Sequence, residues 1–94
     1  MPRPFGRRPA LILTRSRVIP HLRAVTVAPI TQTIREIESE VILSPEIGVP
    51  KPCAVSLDNI FTIAKSRIDM RIVRVPADVM EEIFEAIRFT FDMP

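Results

Sequence analysis

The sequence predicts a mainly β domain of the α+β class, with one helix at its C-terminal end. Five or six short apolar or alternating segments follow one another closely between residues 10 and 75, and many of the ten prolines separate them. A single amphipathic helical pattern occupies the end of the chain. Because connections this short cannot hold crossover helices, we expect a mostly antiparallel and strongly curved sheet.

The first two expected strands differ in pattern. Residues 10–13 form a continuous apolar run, which is typical of a strand buried on both faces, whereas residues 24–29 alternate valine with smaller side chains. Pro29 has no N–H to donate, so we expect the second strand to end or bulge there, with Thr31 at its exit. Further strands are expected at residues 36–43, 53–57, 60–64 and 71–75.

The helix is the clearest pattern in the chain. Pro76 suits a first helical turn because its missing N–H is unused there, and the acidic Asp78 that follows favours a helix N-terminus. The apolar stripe comprises Val79, Met80, Ile83, Phe84, Ile87 and Phe91. We interpret this segment as a helix docked on the sheet.

Length and composition predict one domain over residues 1–94, in which residues 1–6 form an irregular arm. With 94 residues the core is small, so association with a second copy would help to bury apolar surface. No apolar run approaches the ~20 residues that span a bilayer, and the chain has one cysteine. We therefore expect no membrane partner and a reducing, cytoplasmic location.

Charge is distributed unevenly along the chain. Residues 1–35 contain seven arginines and no acid, whereas the remaining residues carry six basic and all eleven acidic side chains, for a net charge of +2. A guanidinium donates two parallel hydrogen bonds to a phosphate, so an acid-free, arginine-rich half favours a polyanion partner. A solvated basic face is an equally good interpretation on charge alone.

Several chemistries have little support in the sequence. One histidine and one cysteine cannot supply a zinc site, and no phosphate-binding loop or nucleophile elbow is found, so we expect no metal and no cofactor. We interpret His21 as a surface residue and Cys53 as a small core residue. The absence of tryptophan and tyrosine leaves little for an aromatic base-stacking platform.

Arg8, just before the first strand, and Thr31, just after the second, are the candidate functional pair. An arginine and a hydroxyl can stabilise the charge of a phosphorane-like transition state without metal. Taken by themselves, both residues also fit ordinary roles, because such an arginine is usually solvated and such a threonine usually packs or caps. The residues alone therefore leave the pair as a conjecture.

The chain nevertheless resembles the MazF/PemK family of toxin–antitoxin endoribonucleases. The resemblance begins with Arg8-Pro9-Ala10-Leu11-Ile12-Leu13 and Val25-Thr26-Val27-Ala28-Pro29-Ile30-Thr31. It continues through Thr33-Ile34-Arg35, Glu40-Val41 and Leu57-Asp58-Asn59-Ile60 to the C-terminal helix, over roughly residues 7–91. The order and spacing of these blocks are distinctive together.

This resemblance implies an SH3-like antiparallel barrel of the PemK/CcdB type with a C-terminal helix, which acts as a homodimer. It implies metal-independent, sequence-specific cleavage of single-stranded RNA to 2′,3′-cyclic phosphate and 5′-hydroxyl ends, which inhibits translation and growth. Arg8 and Thr31 take the catalytic roles, and an acidic antitoxin covers the groove. The implied RNA-binding residues are Arg7, Arg15, Gln32, Thr33, Arg35, Asp58 and Asn59.

Two departures from the family pattern leave alternatives open. Family members commonly begin with an additional strand, of which this chain has only residues 1–6, so we expect a shortened N-terminus. The stretch before Arg8 is wholly basic, and no general base is assigned. One alternative is a degenerate member that binds RNA or antitoxin without cleaving. The others are a gyrase-poison-like toxin, disfavoured because the chain lacks tryptophan, and a generic basic binding module.

Overall fold

In the computed structural model, which describes residues 8–68 and 73–93, five antiparallel strands form one sheet. The strands are β1 (Ala10–Ile12), β2 (Ala24–Thr31), β3 (Glu40–Leu43), β4 (Cys53–Ser56) and β5 (Phe61–Ala64). Four of them follow the order β1-β2-β4-β3, and β5 pairs with β2. The helix α1 (Ala77–Thr90) completes the fold, and the predicted fold class is confirmed.

Strand β2 organises the sheet because it pairs with three neighbours. Residues 27–29 pair with β1, residues 24–27 pair with β5, and Ile30 and Thr31 pair with β4. Strands β5 and β4 therefore pair with successive parts of β2, β5 with residues 24–27 and β4 with residues 30–31. Pro29 lies at the change of partner, where its missing N–H leaves no ladder bond unmade. We expected the ladder to end or bulge at Pro29 with Thr31 at the strand's exit. The pairing with β1 does end at Pro29 and Thr31 is the last residue of β2, but the strand itself runs on for two residues beyond the expected 24–29 by pairing with β4.

Strand β4 is the buried centre of the molecule. All four of its residues are buried, and the core around it contains Ala28, Val41, Leu43, Val49, Cys53, Val55, Leu57, Ile83 and Ala86. By contrast, Ala10 and Ile12 of β1 are exposed, and only Leu11 between them packs against the core. The prediction that this first strand is buried on both faces is wrong.

Two other predicted strands differ from the structure. The strand expected at residues 36–43 begins only at Glu40, since Glu36 takes a left-handed φ of 54° and the N–H of Glu40 donates to the carbonyl of Ile37 at 3.0 Å. Of the strand expected at residues 71–75, residues 73–75 are not in a strand, and Val73 and Val75 pack against the core individually. Residues 71 and 72 and the expected arm at residues 1–6 lie outside the described residues.

Helix α1 docks on the sheet as expected, with Ile83 and Ala86 buried against the core. Pro76 is the N-cap residue rather than part of the first turn, and its carbonyl accepts the N–H of Met80 at 3.0 Å. Phe84 and Phe91, which the sequence places in the apolar stripe, are exposed. The buried stripe of α1 is therefore narrower than predicted, and part of the apolar surface of the helix is exposed.

Candidate active site and nucleic-acid interface

Arg8 and Thr31 lie at the same end of the β1–β2 pair, Arg8 two residues before β1 and Thr31 as the last residue of β2. Ala10 is opposite Pro29 in this pairing, and the N–H of Ile30 donates to the carbonyl of Pro9 at 3.2 Å, so the pairing persists beyond β1. Continuing the same register by one residue would place Arg8 opposite Thr31, and directly opposed residues have Cβ atoms typically ~5 Å apart. The two residues that the sequence singled out therefore belong to the same end of this strand pair.

The Thr31 hydroxyl is oriented by the backbone that follows it. Its Oγ1 accepts the N–H of Thr33 at 3.0 Å, which closes a tight turn immediately after β2. A hydroxyl that accepts one hydrogen bond still has its own proton to donate. Thr31 can therefore donate to a phosphate oxygen placed beside Arg8, and the exposed side chains of Gln32 and Thr33 lie next to it along the chain.

A second polar cluster forms where β3 begins. The carboxylate of Glu40 accepts the backbone N–H of Arg35 at 3.0 Å on Oε1, and both Nε and Nη2 of Arg35 lie 2.7 Å from its Oε2. The side chain of Glu40 is only 1% exposed, whereas that of Arg35 is 48% exposed. One buried carboxylate thus fixes a guanidinium that still faces solvent.

Asp58 and Asn59 adjoin this cluster in the 3-10 turn Leu57–Asn59 that follows β4. Ser39 Oγ donates to the carboxylate of Asp58, whose Oδ2 lies 4.0 Å from Nη2 of Arg35. Asn59 Nδ2 donates to Ser56 Oγ at 3.0 Å. The predicted groove residues Arg35, Asp58 and Asn59 are therefore held by local hydrogen bonds at the junction of β3 and β4.

The structure separates Arg15 from the rest of the predicted site. Arg15 follows β1 at its other end, where Thr14 Oγ1 accepts the N–H of Thr26 at 2.9 Å. Thr26 and Thr31 are five residues apart on β2, which corresponds to roughly 17 Å along an extended strand. Arg15 instead lines a shallow cavity together with Leu13, Thr14, Val18 and Thr26. Arg7 lies outside the described residues.

Sequence reasoning missed the structural part played by Ser39, Glu40 and Ser56. All three are buried polar residues at facing ends of β3 and β4, and Glu40 is opposite Ser56 in the register. A signal was present in the sequence, because Glu40 directly precedes the apolar residues 41–43 and follows Arg35 by five positions. A buried carboxylate in such a place needs a cationic partner.

A groove between β3 and α1 borders the Glu40 cluster on its acidic side. It is lined by Glu36, Ile37, Glu38, Glu40, Val41, Ile42, Glu82, Glu85, Ala86 and Phe89. Carboxylates repel a phosphate backbone, so this groove is unsuited to RNA. The acid-free strand pair that carries Arg8 and Thr31 is the better candidate for contact with a polyanion.

Within residues 8–68 and 73–93, no three histidine, cysteine, aspartate or glutamate side chains are grouped so that they could hold a metal ion. No helix in the same ranges is long and apolar enough to cross a bilayer. Cys53 is buried in the core, and this burial raises the pKa of its thiol. A thiol with a raised pKa is a poor nucleophile, which agrees with the interpretation of Cys53 as a packing residue.

The comparison with known families is decisive. Residues 3–91 match the family described as PemK-like, MazF-like toxin of type II toxin–antitoxin system. The chain belongs to this family. The predicted resemblance is confirmed, and it spans nearly the whole sequence.

Relatives of known name and structure agree with the family assignment. Endoribonuclease MazF3 of Mycobacterium tuberculosis (strain ATCC 25618 / H37Rv) is 43% identical over 86 residues, which cover 92% of this chain and 84% of MazF3. The solved structure of the Mycobacterium tuberculosis toxin MazF-mt6 superposes with a TM-score of 0.91 at 39% identity, covering 100% of this chain and 95% of that one. An endoribonuclease in complex with its cognate antitoxin, from Mycobacterial species, gives a TM-score of 0.86 at 26% identity, covering 97% and 86%.

Proposed function

We propose that this member of the PemK-like, MazF-like toxin family is a metal-independent endoribonuclease that cleaves single-stranded RNA in a sequence-specific manner. The observation that carries the proposal is that Arg8 and Thr31 lie at the same end of the β1–β2 pair in a chain 43% identical to a named endoribonuclease. We further propose that cleavage inhibits translation and growth, which places the activity in the cytoplasm.

The chemistry follows from what these two side chains can do. The 2′-hydroxyl of RNA attacks the adjacent phosphorus, a bond forms from the 2′-oxygen to phosphorus, and the bond from phosphorus to the 5′-oxygen breaks. The 2′-oxygen loses a proton and the 5′-oxygen gains one, which leaves a 2′,3′-cyclic phosphate and a 5′-hydroxyl. Arg8 and Thr31 stabilise the charge that develops on the non-bridging oxygens. DNA lacks the 2′-hydroxyl and is spared.

Binding of the flanking RNA involves the residues that follow β2 and β4. Gln32 and Thr33 extend from the Thr31 turn, and Arg35, Asp58 and Asn59 supply charged and amide groups at the β3–β4 junction. Hydrogen bonds from these groups to base edges would give sequence preference, whereas arginines bind phosphates without regard to sequence. RNA affinity should therefore fall steeply as salt concentration rises.

Two protein partners belong to the proposal, a second copy of the chain and an acidic antitoxin that occupies the RNA groove. The exposed apolar side chains Phe84, Phe89, Phe91 and Met93 near the C-terminus support a protein partner, since a chain this small gains from burying them. The family description as a type II toxin and the solved toxin–antitoxin relative support the antitoxin. Light scattering over a range of concentrations tests the dimer, and a concentration-independent monomer mass would contradict it.

The deciding experiment incubates the purified protein with a long single-stranded RNA in EDTA, beside the Arg8→Ala and Thr31→Ala variants. We expect the wild type to cut and both variants to lose cleavage, with cyclic-phosphate ends on the wild-type products. Arg17→Ala is the matched control, because it removes the same charge from the 3-10 turn Ser16–His21 at the far end of the strand pair. Intact RNA that stays bound to the wild type would instead indicate a binding protein without nuclease activity.

A further inference from the structure

Glu40 has a buried carboxylate whose hydrogen-bond partner is a single arginine. An ionised carboxylate ordinarily stays in water, and burial is tolerated only when hydrogen bonds and a counter-charge replace the lost solvent. Glu40 has 1% of its side chain exposed, and its hydrogen bonds reach the backbone N–H and the Nε of Arg35. Its Oε2 also lies 2.7 Å from Nη2 of the same arginine. One carboxylate therefore fixes both the backbone and the guanidinium of Arg35.

Asp58 and Ser39 support the same guanidinium from a second direction. Asp58 Oδ2 lies 4.0 Å from Nη2 of Arg35, and the hydroxyl of Ser39 donates to this carboxylate. The backbone carbonyl of Ser39 accepts the N–H of Leu57 at 2.9 Å, which joins the start of β3 to the end of β4. Glu40 of β3 thus holds the guanidinium, and Asp58 in the turn after β4 lies at its edge, while 48% of the Arg35 side chain stays exposed.

The anchored arginine is close in sequence to the proposed catalytic threonine. Arg35 follows Thr31 by four positions, and the Thr31 hydroxyl accepts the N–H of Thr33 between them. Both ends of the segment 31–35 are therefore held, one by β2 and the other by Glu40. The guanidinium of Arg35 is therefore held in place by Glu40 at the end of a short segment that begins at Thr31.

We propose that Glu40 is a positioning residue, which holds Arg35 so that the exposed edge of its guanidinium binds an RNA phosphate flanking the one held by Arg8 and Thr31. This inference rests on the proposed ribonuclease function. It predicts a change in RNA affinity opposite in direction to the usual effect of removing an acidic side chain. Removing a negative charge from a polyanion-binding protein ordinarily tightens binding, whereas removing the Glu40 charge weakens it because Arg35 loses its fixed place.

The test is a double-mutant cycle on RNA binding that compares wild type, Glu40→Gln, Arg35→Met and the double variant. The probe is a fluorescein-labelled, mixed-sequence single-stranded 2′-O-methyl RNA, which carries the phosphates but no free 2′-hydroxyl and so is not cleaved. We expect each single variant to raise the Kd about tenfold, the equivalent of one lost charge-assisted hydrogen bond. Each should also lower the salt-dependence exponent by about 0.7, the value for one phosphate contact on a single strand. The double variant should bind no more weakly than Arg35→Met alone.

Glu38→Gln is the matched control, since it removes the same charge from an exposed residue two positions away. We expect this control to bind RNA as tightly as wild type or more tightly. Arg35→Lys is a second variant for the case in which Glu40→Gln does not fold by circular dichroism. Lysine keeps the positive charge but lacks the planar set of N–H donors of a guanidinium. We expect Arg35→Lys to bind RNA about fivefold more weakly, with an unchanged salt-dependence exponent.

Three results would overturn the inference while leaving the ribonuclease proposal intact. The first is that Glu40→Gln binds RNA as tightly as Glu38→Gln. The second is that Glu40→Gln weakens RNA binding by the same factor in the Arg35→Met background as in the wild type. The third is that Arg35→Lys binds RNA as tightly as the wild type. A purely structural role for Glu40 would lower the melting temperature without coupling to Arg35 in this cycle. If the wild type neither binds the probe nor cuts RNA, the proposed function itself fails and this inference fails with it.

Discussion

The backbone N–H of Ile30 donates to the carbonyl of Pro9 at 3.2 Å, which carries the register of β1 and β2 beyond the last paired residue of β1 and toward Arg8 and Thr31. Proline at position 9 offers only a carbonyl to this ladder, so the single bond to Ile30 is the one that fixes the register there.

Conservative substitutions at this pair should separate charge from geometry. We expect Arg8→Lys to lower the cleavage rate about 100-fold, because an ammonium keeps the charge but cannot donate two parallel hydrogen bonds to a phosphate. Thr31→Ser should keep most of the activity, since the donated hydroxyl is retained, whereas Thr31→Val should lose it. Single-turnover cleavage of a fluorescent RNA measures these rates. Equal activity of Thr31→Val and Thr31→Ser would exclude the hydroxyl from the reaction.

The sequence predicted roles for Arg8, Thr31, Arg35, Asp58 and Asn59. It did not predict that Glu40 holds Arg35, and the reason is physical. Strand patterns place a residue before or after a strand, so they locate side chains that act at strand ends. Glu40 bonds to Arg35 across a turn in which Glu36 has a left-handed backbone, and β3 begins only after this turn. A non-glycine residue with positive φ has no clear sequence signature, so the predicted strand began four residues too early.

Burial explains the main error in the fold prediction. Residues 10–13 and Cys53–Val55 of β4 are both apolar, and periodicity alone cannot tell whether such a run is covered on one face or on both. In the order β1-β2-β4-β3, β4 lies between two strands and is wholly buried, whereas Ala10 and Ile12 of β1 stay exposed. That order depends on long-range pairing, which a local pattern does not contain. The helix was well predicted because its pattern is local.

Cys53 should be unreactive in the folded protein, and its thiol should make the free energy of unfolding decrease at alkaline pH. Burial raises the pKa of its thiol, so the unfolded chain loses this proton at a lower pH than the folded chain does. The free energy of unfolding should therefore fall as the pH rises above about 8.5, the ordinary value for a cysteine. Urea titrations of wild type and Cys53→Ala at pH 7 and pH 9.5 test this. A pH effect that is equally large in Cys53→Ala would show that other groups cause it.

Gly48 should resist substitution because its backbone is left-handed and its surroundings are tight. Its φ is 109°, and a Cβ built there would lie 3.1 Å from Cγ2 of Val73. We expect Gly48→Ala to lower the free energy of unfolding by about 1–2 kcal/mol, measured by urea denaturation. Glu46→Ala, at an exposed position in the same turn, is the control and should change stability by less than about 0.5 kcal/mol. An unchanged midpoint for Gly48→Ala would contradict the strain that this backbone conformation implies.

Ile83 should be the side chain of α1 on which docking of the helix depends most. It is 0% exposed, and it belongs to the same core cluster as Val41, Val55 and Leu57. Truncation to alanine removes buried methyl and methylene groups and leaves a cavity, which should cost about 2–5 kcal/mol in free energy of unfolding. The matched control is Glu81→Ala, an exposed position on the same helix. Urea denaturation should be run at one fixed protein concentration, since self-association would add to the apparent stability of every variant. A loss below about 1 kcal/mol for Ile83→Ala would mean that α1 contributes little to the core and that the strands alone hold Arg8 and Thr31 in register.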